Sequence, residues 1–415
     1  MDRRHFLHLA TATALSAAAG CRSGPGAGAQ AEIPFFDPTG RLDFDELWRT
    51  LGERYCYFGQ KATDWEHVRA VYRPQAASAT TLDGFKEIIR RTMNELYDAH
   101  TSIHWTPDGG WRPPWLDLRA EPHGLAARVL DVRDGSAAAQ GGVEPGTVIL
   151  ELDGSPVGEL AQEHLPQCLT RPDPAAEAWA YNVTLSGRRN RPRRLTIGTN
   201  GGSRELTLAL MEQTSDHDEP GVRHERLDGG IGYIRIASFA EMEVIELFDD
   251  ALEALRDSPG LIIDVRRNGG GDTAVSVPIM GRFITEPKLY AYMRRREGEG
   301  LSHRWREEVE PRGPFTYEAP VVVVTDFWSA SLAEGFPMGM SGLGRGRVVG
   351  RPMMQLGAGV WSFRLDLTGV TGQYSAEPVY DIEDRPRDDF RPHVVTGAGE
   401  DILEAGLREL MAMMT

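Results

Sequence analysis

The hydrophobic positions change their spacing twice along this chain. In the first part, apolar side chains recur every three or four residues, which predicts amphipathic helices and a small helical domain over residues 38–115. The two helical stripes are Phe44, Leu47, Trp48, Leu51 and Tyr55, and Phe85, Ile88, Ile89, Met93 and Leu96.

From Gly124 onward the pattern becomes one of short strands separated by glycine turns. Leu125 to Val132 reads as one strand, and Gly141 to Gly154 contains another between turns. This pattern predicts a β domain over residues 118–213, followed by an acidic linker near residues 216–219.

Strands alternate with helices in the last region, residues 222–415. Ile231–Ile236, Leu261–Val265 and Val321–Val324 are apolar runs typical of buried strands, and Arg347–Gly350 is a further short strand. Helical spacing predicts an amphipathic helix over 242–255 and a closing helix over about 400–414. The alternation predicts an α/β core with a largely parallel sheet.

The N-terminus has the layout of an export signal. Paired arginines at Arg3-Arg4 precede a short apolar run, Ala10 to Ala19, which ends at Gly20-Cys21. We therefore expect a signal peptide over residues 1–21 and a flexible tether over 22–37. The segments resemble a twin-arginine motif and a bacterial lipobox, which implies a lipid anchor on Cys21 and a location in the bacterial cell envelope. Cleavage nearby with Cys21 unmodified is the alternative.

Composition narrows the function classes. The formal net charge of −16 over 415 residues argues against a nucleic-acid partner, because binding the phosphate backbone needs clustered Lys and Arg. Lysine occurs only at Lys61, Lys86 and Lys288. Cys56 and Cys168 could pair, although free and buried thiols are expected. We expect no metal and no cofactor. The cysteines are isolated, and the one His-x-x-x-His spacing, His100 to His104, lies past a helix end and lacks the adjoining Glu of a zinc peptidase.

The residues Val321 to Glu334 predict a strand, a tight turn and a helix start. A serine at such a junction projects from the sheet edge, with the helix N-terminus behind it to favour negative charge, so Ser331 is the candidate nucleophile. Ser331-Leu-Ala-Glu334 also fits a capping box, in which the hydroxyl would only satisfy a backbone N–H. Spacing alone leaves both interpretations open.

A second chemical signal is the glycine run after Leu261–Val265, at Gly269-Gly-Gly271. Acyl transfer needs backbone N–H groups directed at the oxyanion, and side chains would obstruct that approach. The run therefore fits an oxyanion loop, and a turn that is glycine-rich for backbone reasons alone is the alternative.

Together these motifs resemble the tail-specific, or C-terminal processing, serine peptidases and their tricorn-like relatives. The resemblance is carried by Gly232-Tyr-Ile-Arg-Ile-Ala-Ser-Phe239, Leu261 to Gly271 and Asp326 to Glu334, while Gly141 to Gly154 resembles a PDZ domain. It implies a crotonase-like ββα peptidase core, an N-terminal helical domain and an inserted PDZ-like β domain. It also implies oxyanion donors at Gly270 or Gly271 and at Leu332, and a carboxylate-binding loop at Gly124, Leu125 and Ala126. A spacer role for the β domain is the alternative.

The resemblance implies that many family members activate the serine with a lysine, but this chain has no lysine at the corresponding position. Their lysine would fall at Leu356, and no lysine follows Lys288. Leu96-Tyr-Asp-Ala-His-Thr101 resembles the histidine motif of the tricorn-like branch, which implies that His100 activates Ser331. The acidic partner implied by that branch lies in a divergent segment; we select Glu383, with Asp388 and Asp389 as alternatives. His393 is expected to be structural, with a reserve role as base.

Two functions from different classes follow. The first is an envelope-anchored serine endopeptidase that hydrolyses peptides or exported proteins through an acyl-enzyme. The second is a non-catalytic, peptide-binding lipoprotein that retains the peptidase fold, suggested by the missing lysine and the divergent acidic segment.

Overall fold

The computed structural model describes residues 37–210 and 221–415. The predicted signal peptide with Cys21, nearly all of the predicted tether and the predicted acidic linker lie outside the described residues. No helix in the described ranges is long and apolar enough to span a bilayer.

Three helices and a short strand make up the N-terminal region. Helix ends follow the local sequence: Asp64 accepts a hydrogen bond from His67 N–H (2.9 Å), and Thr81 accepts one from Gly84 N–H (3.0 Å). The elements are α1 Asp37–Arg54, α2 Trp65–Ala77, α3 Leu82–Asn94 and β1 Ser102–Ile103.

The predicted helical region does not have a core of its own. Its buried side chains pack together with Leu365, Tyr374 and Ala376 from the C-terminal region. Cys168 is buried in the same cluster, and both Cys56 and Cys168 are free, as expected. The boundary near residue 115 is therefore a change of element type but not of hydrophobic core.

The middle region is antiparallel, with strand order β2-β3-β4-β6-β7 and β5 paired to β4. Helix α6 packs along β2, where buried Asn182 bonds both backbone groups of Ala120 (2.9 and 2.8 Å). The elements are β2 Leu118–His123, β3 Ala126–Val132, α4 Ala137–Gln140, β4 Val148–Leu152, β5 Ser155–Pro156, α5 Val157–Ala161, α6 Pro174–Ser186, β6 Arg193–Thr199 and β7 Gly202–Leu208.

The last region confirms the predicted parallel sheet. The strand order is β19-β16-β15-β10-β9-β8, parallel throughout except for β8. The elements are β8 Val222–Arg226, β9 Gly232–Ile236, α7 Glu243–Ala254, β10 Leu261–Asp264, α8 Thr273–Met280, β11 Lys288–Met293, β12 Arg296–Glu297, β13 Gly300–Leu301, β14 Trp305–Val309, β15 Val321–Thr325, α9 Leu332–Gly342, β16 Arg347–Gly350, β17 Ala358–Arg364, β18 Thr371–Tyr380, β19 Val394–Val395 and α10 Ile402–Met414.

Two features of this topology bring distant motifs together. Strands β10 and β15 are parallel neighbours, with Asp264 opposite Val324, so the glycine loop and the Ser331 turn leave the sheet side by side. A second sheet, which the sequence patterns did not predict, has the order β1-β18-β11-β14, with β17 paired to β18. Pairing of Ser102 with Gln373 there fixes the loop that carries His100.

Candidate active site

Ser331 stands at a strained turn between β15 and α9. Its backbone has φ 56° and ψ −116°, whereas an ordinary N-cap residue adopts the β region. A non-glycine residue at such angles costs about 1–3 kcal/mol and is characteristic of functional sites. The capping interaction is also present, because Glu334 accepts the Ser331 N–H at 3.0 Å. The hydrogen bond from Ser331 N–H to Glu334 and the strained backbone at Ser331 therefore occur together.

The neighbouring Ser329 has a structural role. It is fully buried, and its hydroxyl donates to the Val265 carbonyl at 2.8 Å and accepts the Asp326 N–H at 3.1 Å. These bonds hold the Ser331 turn onto the end of β10. Ser331, which is only half-buried, is the serine left for chemistry.

The glycine loop lies against Ser331. Gly270 has φ 101°, and a Cβ there would come within 2.9 Å of the Ser331 Cβ and of the Leu332 nitrogen. The Gly270 N–H donates to the Asn268 side chain at 2.8 Å, so it is already used. In the described part of the chain, neither Gly271 nor Leu332 has a hydrogen-bond acceptor for its backbone N–H. Of the two predicted glycines, the structure favours Gly271 as the oxyanion donor.

Glu334 ties the serine turn to the segment after β16. It is 1% exposed and accepts backbone N–H groups from Ser331, from Gln355 at 3.0 Å and from Leu356 at 2.7 Å. Burial raises the pKa of Glu334 to about 7, against the lowering effects of Arg387 and the backbone donors. Leu356, the position for which the resemblance implies a lysine in many relatives, thus lies beside the Ser331 turn with a side chain that cannot accept a proton.

The loop that carries His100 is held by hydrogen bonds within the loop and from strand β18. Asp98 accepts the His100 N–H at 2.9 Å and also the hydroxyls of Thr101 and, from β18, Ser375, both at 2.8 Å. The imidazole is 7% exposed. Burial lowers its pKa to about 4; Arg387 adds to the lowering, whereas Asp98 opposes it. The ring is therefore neutral near pH 7, the form that can accept a proton.

Contacts from Arg387 relate His100 to the Ser331 turn. Buried Arg387 donates to the carbonyls of Leu356 and Ala358. The Ala358 carbonyl interacts in turn with the His100 ring. His100 Nδ1 is buried and has no hydrogen-bond partner among the described residues, and no hydrogen bond there joins the ring to the Ser331 hydroxyl. The His100 ring and the Ser331 turn are therefore linked through Arg387 and the segment 356–358, without a direct hydrogen bond between the ring and the Ser331 hydroxyl.

The acidic partner selected from the sequence, Glu383, is misplaced for this role. Its side chain is 62% exposed and pairs with Arg385 at 2.9 Å. Asp388 instead packs against Gly357, next to the Ala358 that contacts His100. Burial raises the pKa of Asp388 to about 6, opposed by Arg387 and Tyr57. Of the acidic alternatives, Asp388 therefore lies at the site, and Asp389 is exposed.

His393, the reserve base, makes structural contacts. Its Nδ1 accepts the Val348 N–H at 2.9 Å, and its Nε2 lies 3.2 Å from the Ser341 hydroxyl. No group of three or more His, Cys, Asp or Glu within residues 37–210 and 221–415 is arranged to hold a metal ion.

The predicted carboxylate loop does not adjoin an open strand edge. The Gly124 carbonyl accepts the Tyr181 hydroxyl (2.6 Å), and the Leu125 carbonyl accepts the Gly158 N–H (2.9 Å). Strand β3, which begins at Ala126, is paired with β2 along its length and with β4 on its other side. A peptide cannot add to β3 in this arrangement, because the edge it would use is filled.

Sequence reasoning did not single out Arg387 and Asp98, whose contacts lie at the candidate site. Asp98 stands two residues before His100 at a helix end, a spacing typical of an Asx turn, and this could have identified it. Arg387 carries no comparable local signal, since its contacts are made with residues about thirty positions earlier.

Comparison with known proteins identifies this arrangement. Residues 230–389, which contain the glycine loop, the Ser331 turn and Asp388, match the model of peptidase family S41, and residues 40–94 match that of the tricorn protease C1 domain. These matches support the S41 tail-specific protease superfamily, and residues 230–389 carry the similarity to peptidase family S41.

Proteins similar to this chain include both a tricorn-like and a carboxy-terminal processing peptidase. It is 26% identical to tricorn protease homolog 1 of Streptomyces coelicolor over 342 residues, which is 76% of this chain and 28% of that protein. It is 24% identical to the carboxy-terminal processing protease CtpB of Bacillus subtilis over 218 residues, 52% of this chain and 41% of that one. The chain thus matches less than half the length of either relative.

Among solved structures, mature CPAF superposes with a TM-score of 0.61 at 14% identity, covering 91% of this chain and 96% of that one. At this identity the likeness establishes the fold alone. It extends the shared mixed α/β fold beyond the segment matched by the S41 model.

Proposed function

We propose that this S41 protein is a serine endopeptidase of the bacterial cell envelope that hydrolyses peptides or exported proteins through an acyl-enzyme on Ser331. The observation that carries the proposal is the contact between Gly270 and the strained Ser331 turn. This contact brings two unused N–H groups, those of Gly271 and Leu332, beside a half-buried hydroxyl.

In the proposed mechanism, Ser331 Oγ attacks the scissile carbonyl while neutral His100 takes its proton. The Gly271 and Leu332 N–H groups hold the oxyanion, which is the largest contribution expected from such a site. His100 then protonates the leaving amine, and water, deprotonated by His100, releases the acid and restores the serine. Asp98 and Asp388 supply negative charge near the imidazolium that forms in each half-reaction.

The bond between Ser331 and His100 is expected to form when substrate binds. Catalytic hydrogen bonds are often long in unliganded proteins and shorten in the complex. Excluding water from the site would also strengthen the electrostatic interactions on which the mechanism depends.

The PDZ-like and crotonase-like assignments belong to this proposal as well. Peptide binding to the β region alone, the non-catalytic alternative, is not favoured, because Asn182 of α6 satisfies the outer edge of β2 at Ala120. A peptide strand would have to displace either β2 or α6.

A fluorophosphonate probe tests the enzymatic proposal without knowledge of the substrate. Wild type should be labelled, and Ser331→Ala and His100→Ala should lose labelling by at least about a hundredfold. Ser341→Ala on α9 is the matched control, because its hydroxyl lies beside His393 and not at the Ser331 turn, and it should retain labelling. Equal labelling of wild type, Ser331→Ala and His100→Ala would exclude the mechanism.

The location in the envelope rests on the sequence of residues 1–21. Cys21→Ser should shift the exported protein from the membrane to the soluble fraction, because one lipid attachment is lost. If Cys21→Ser remains as firmly membrane-bound as wild type, the anchor lies elsewhere.

A further inference from the structure

Lys61, one of the three lysines of the chain, contacts the segment that leads into the His100 loop. Its Nζ donates a hydrogen bond to the Tyr97 carbonyl at 3.3 Å and lies 4.2 Å from the centroid of the Tyr97 ring. An ammonium in this position binds both a carbonyl dipole and the face of an aromatic ring. Both contacts are made with the residue three positions before His100.

Tyr97 holds a backbone conformation that its side chain disfavours. Its φ is 35°, in the positive range that residues other than glycine rarely adopt. The far end of the side chain is fixed, because the hydroxyl donates to Asp173 at 2.6 Å and accepts the Ala62 N–H at 2.7 Å. Lys61 fixes the other end of the residue, at the carbonyl. Two consecutive residues, Lys61 and Ala62, therefore hold Tyr97 in its strained conformation.

The Tyr97 carbonyl belongs to the peptide bond that joins Tyr97 to Asp98. Because a peptide bond is planar, rotating that carbonyl away from Lys61 would also turn the backbone of Asp98. The Asp98 carboxylate accepts the His100 N–H at 2.9 Å and the Ser375 hydroxyl at 2.8 Å. The Lys61 contact thus fixes the point in the chain from which the His100 loop is oriented.

The residues just before Lys61 also reach the candidate site. The Cys56 N–H donates to the carbonyl of Ser375 at 3.0 Å, and the Tyr57 side chain is hydrogen-bonded to Asp388. Lys61 is therefore the last residue of a segment that packs along the site, and its position does not depend on the Tyr97 contact alone.

Charge as well as geometry connects Lys61 to the site. Burial lowers the pKa of Lys61. The groups that oppose this lowering are Asp98, Asp173, Asp388 and Cys56. Two of these carboxylates, Asp98 and Asp388, are the ones that supply negative charge to the imidazolium in the proposed mechanism. The Lys61 ammonium is therefore a counter-charge for the acids around the base.

We propose that Lys61 is a positioning residue for the His100 base, which it orients by holding the carbonyl and ring of Tyr97 and thereby fixing Asp98 beneath the His100 loop. The inference rests on the proposed function, in which His100 takes the proton of Ser331. Lys61 acts through Tyr97 and Asp98 and is not itself the base.

The test compares Lys61→Met with Lys61→Arg in the full chain. Methionine removes the ammonium at similar length, whereas arginine keeps the charge, the N–H donors and the ability to lie over the Tyr97 ring. At pH 7, Lys61→Met should be labelled by a fluorophosphonate at least about tenfold more slowly than wild type, because a small misplacement of a catalytic group is costly. Lys61→Arg should recover most of the rate.

Lys86→Met is the matched control. The Lys86 ammonium binds Asp83 at 3.1 Å and lies over the Trp105 ring at 5.3 Å, so the substitution removes the same charge and the same kind of aromatic contact. It leaves the contacts of Tyr97 in place. Lys86→Met should therefore be labelled within about twofold of wild type, since surface changes of this kind have small effects.

The pH dependence distinguishes positioning from a general loss of stability. Burial lowers the His100 pKa to about 4; Asp98 opposes the lowering and Arg387 adds to it. In Lys61→Met a loosened loop admits water to the ring, and a cation near Asp98 is lost. Both changes favour the imidazolium, so the acid limb of labelling should move upward, toward the ordinary histidine pKa of about 6.5. Loss of stability alone would lower the thermal midpoint and leave this limb in place.

NMR of the ¹³C-labelled histidines measures the same pKa without catalysis, in the full chain carrying Ser331→Ala. The His100 signal is identified by its loss in His100→Gln. Its pKa should rise in Lys61→Met and return toward the wild-type value in Lys61→Arg. If Lys61→Met does not fold, Lys61→Gln replaces it and must show the same rise.

An unchanged His100 pKa in the folded Lys61 variant, or an equal change in Lys86→Met, would overturn the proposal. So would failure of Lys61→Arg to restore the pKa. A raised His100 pKa in Lys61→Met, together with no labelling of wild type, would retain the role of Lys61 and remove the peptidase. Labelling of wild type with no change of the His100 pKa would do the opposite.

Discussion

Replacing Gly270 with alanine probes the oxyanion site most directly. The new Cβ would lie 2.9 Å from the Ala330 carbonyl, the Leu332 nitrogen and the Ser331 Cβ, all closer than real Cβ contacts. Since these are backbone and turn atoms, the serine turn or the glycine loop must move. The positive φ of 101° adds strain of about 1–3 kcal/mol for a residue with a side chain.

Misplacing one oxyanion donor costs about 10²–10³ in rate. We therefore expect Gly270→Ala to be acylated by a fluorophosphonate about 10²–10³ times more slowly than wild type and to melt several degrees lower. The measurements are the second-order labelling rate and the thermal midpoint.

The adjacent Gly269→Ala is the matched control, because a Cβ at Gly269 has no atom within 4 Å and its φ is not in the positive range. It should label within about threefold of wild type. If folded Gly270→Ala labels as fast as wild type, or if both variants lose the same activity, Gly270 does not shape an oxyanion site beside Ser331.

Three further outcomes are expected. Asp388→Asn should slow labelling of Ser331 at least about tenfold, whereas exposed Glu383→Gln should leave the rate within twofold; the reverse order would restore Glu383 as the partner. Because burial lowers the His100 pKa to about 4, the neutral base persists through mildly acidic pH, and labelling should fall only through a pKa below 6.5; an acid limb at or above 6.5 contradicts this. Asn182→Leu leaves the buried N–H and carbonyl of Ala120 without their side-chain partner. The free energy of unfolding, measured by urea denaturation, should fall by about 1–3 kcal/mol for each group. A change below about 0.5 kcal/mol would show that the contact between α6 and β2 does not stabilise the fold.

Elements with strong local patterns were predicted correctly. The parallel strands β9, β10, β15 and β16 and helices α7 and α10 lie where apolar runs or helical spacing placed them. Strands β17 and β18 were missed because residue type does not follow burial in them. In β17 half-buried and exposed positions alternate, but apolar Val360 is exposed, and in β18 polar and apolar residues are buried alike. The β-region loop was assigned to peptide binding because its sequence does not reveal that α6 covers the edge of β2.

The sequence alone determined the strand, turn and helix around Ser331, the glycine loop and the absence of a lysine at position 356, since each depends on residue type and local spacing. Only the tertiary structure decided the partners. It placed Asp388 rather than Glu383 at the candidate site. It bonded the Gly270 N–H to Asn268 and left the Gly271 N–H without an acceptor among the described residues, and it positioned His100 through a strand more than 260 residues later. These choices depend on contacts between residues distant in the chain, for which local sequence carries no physical signal.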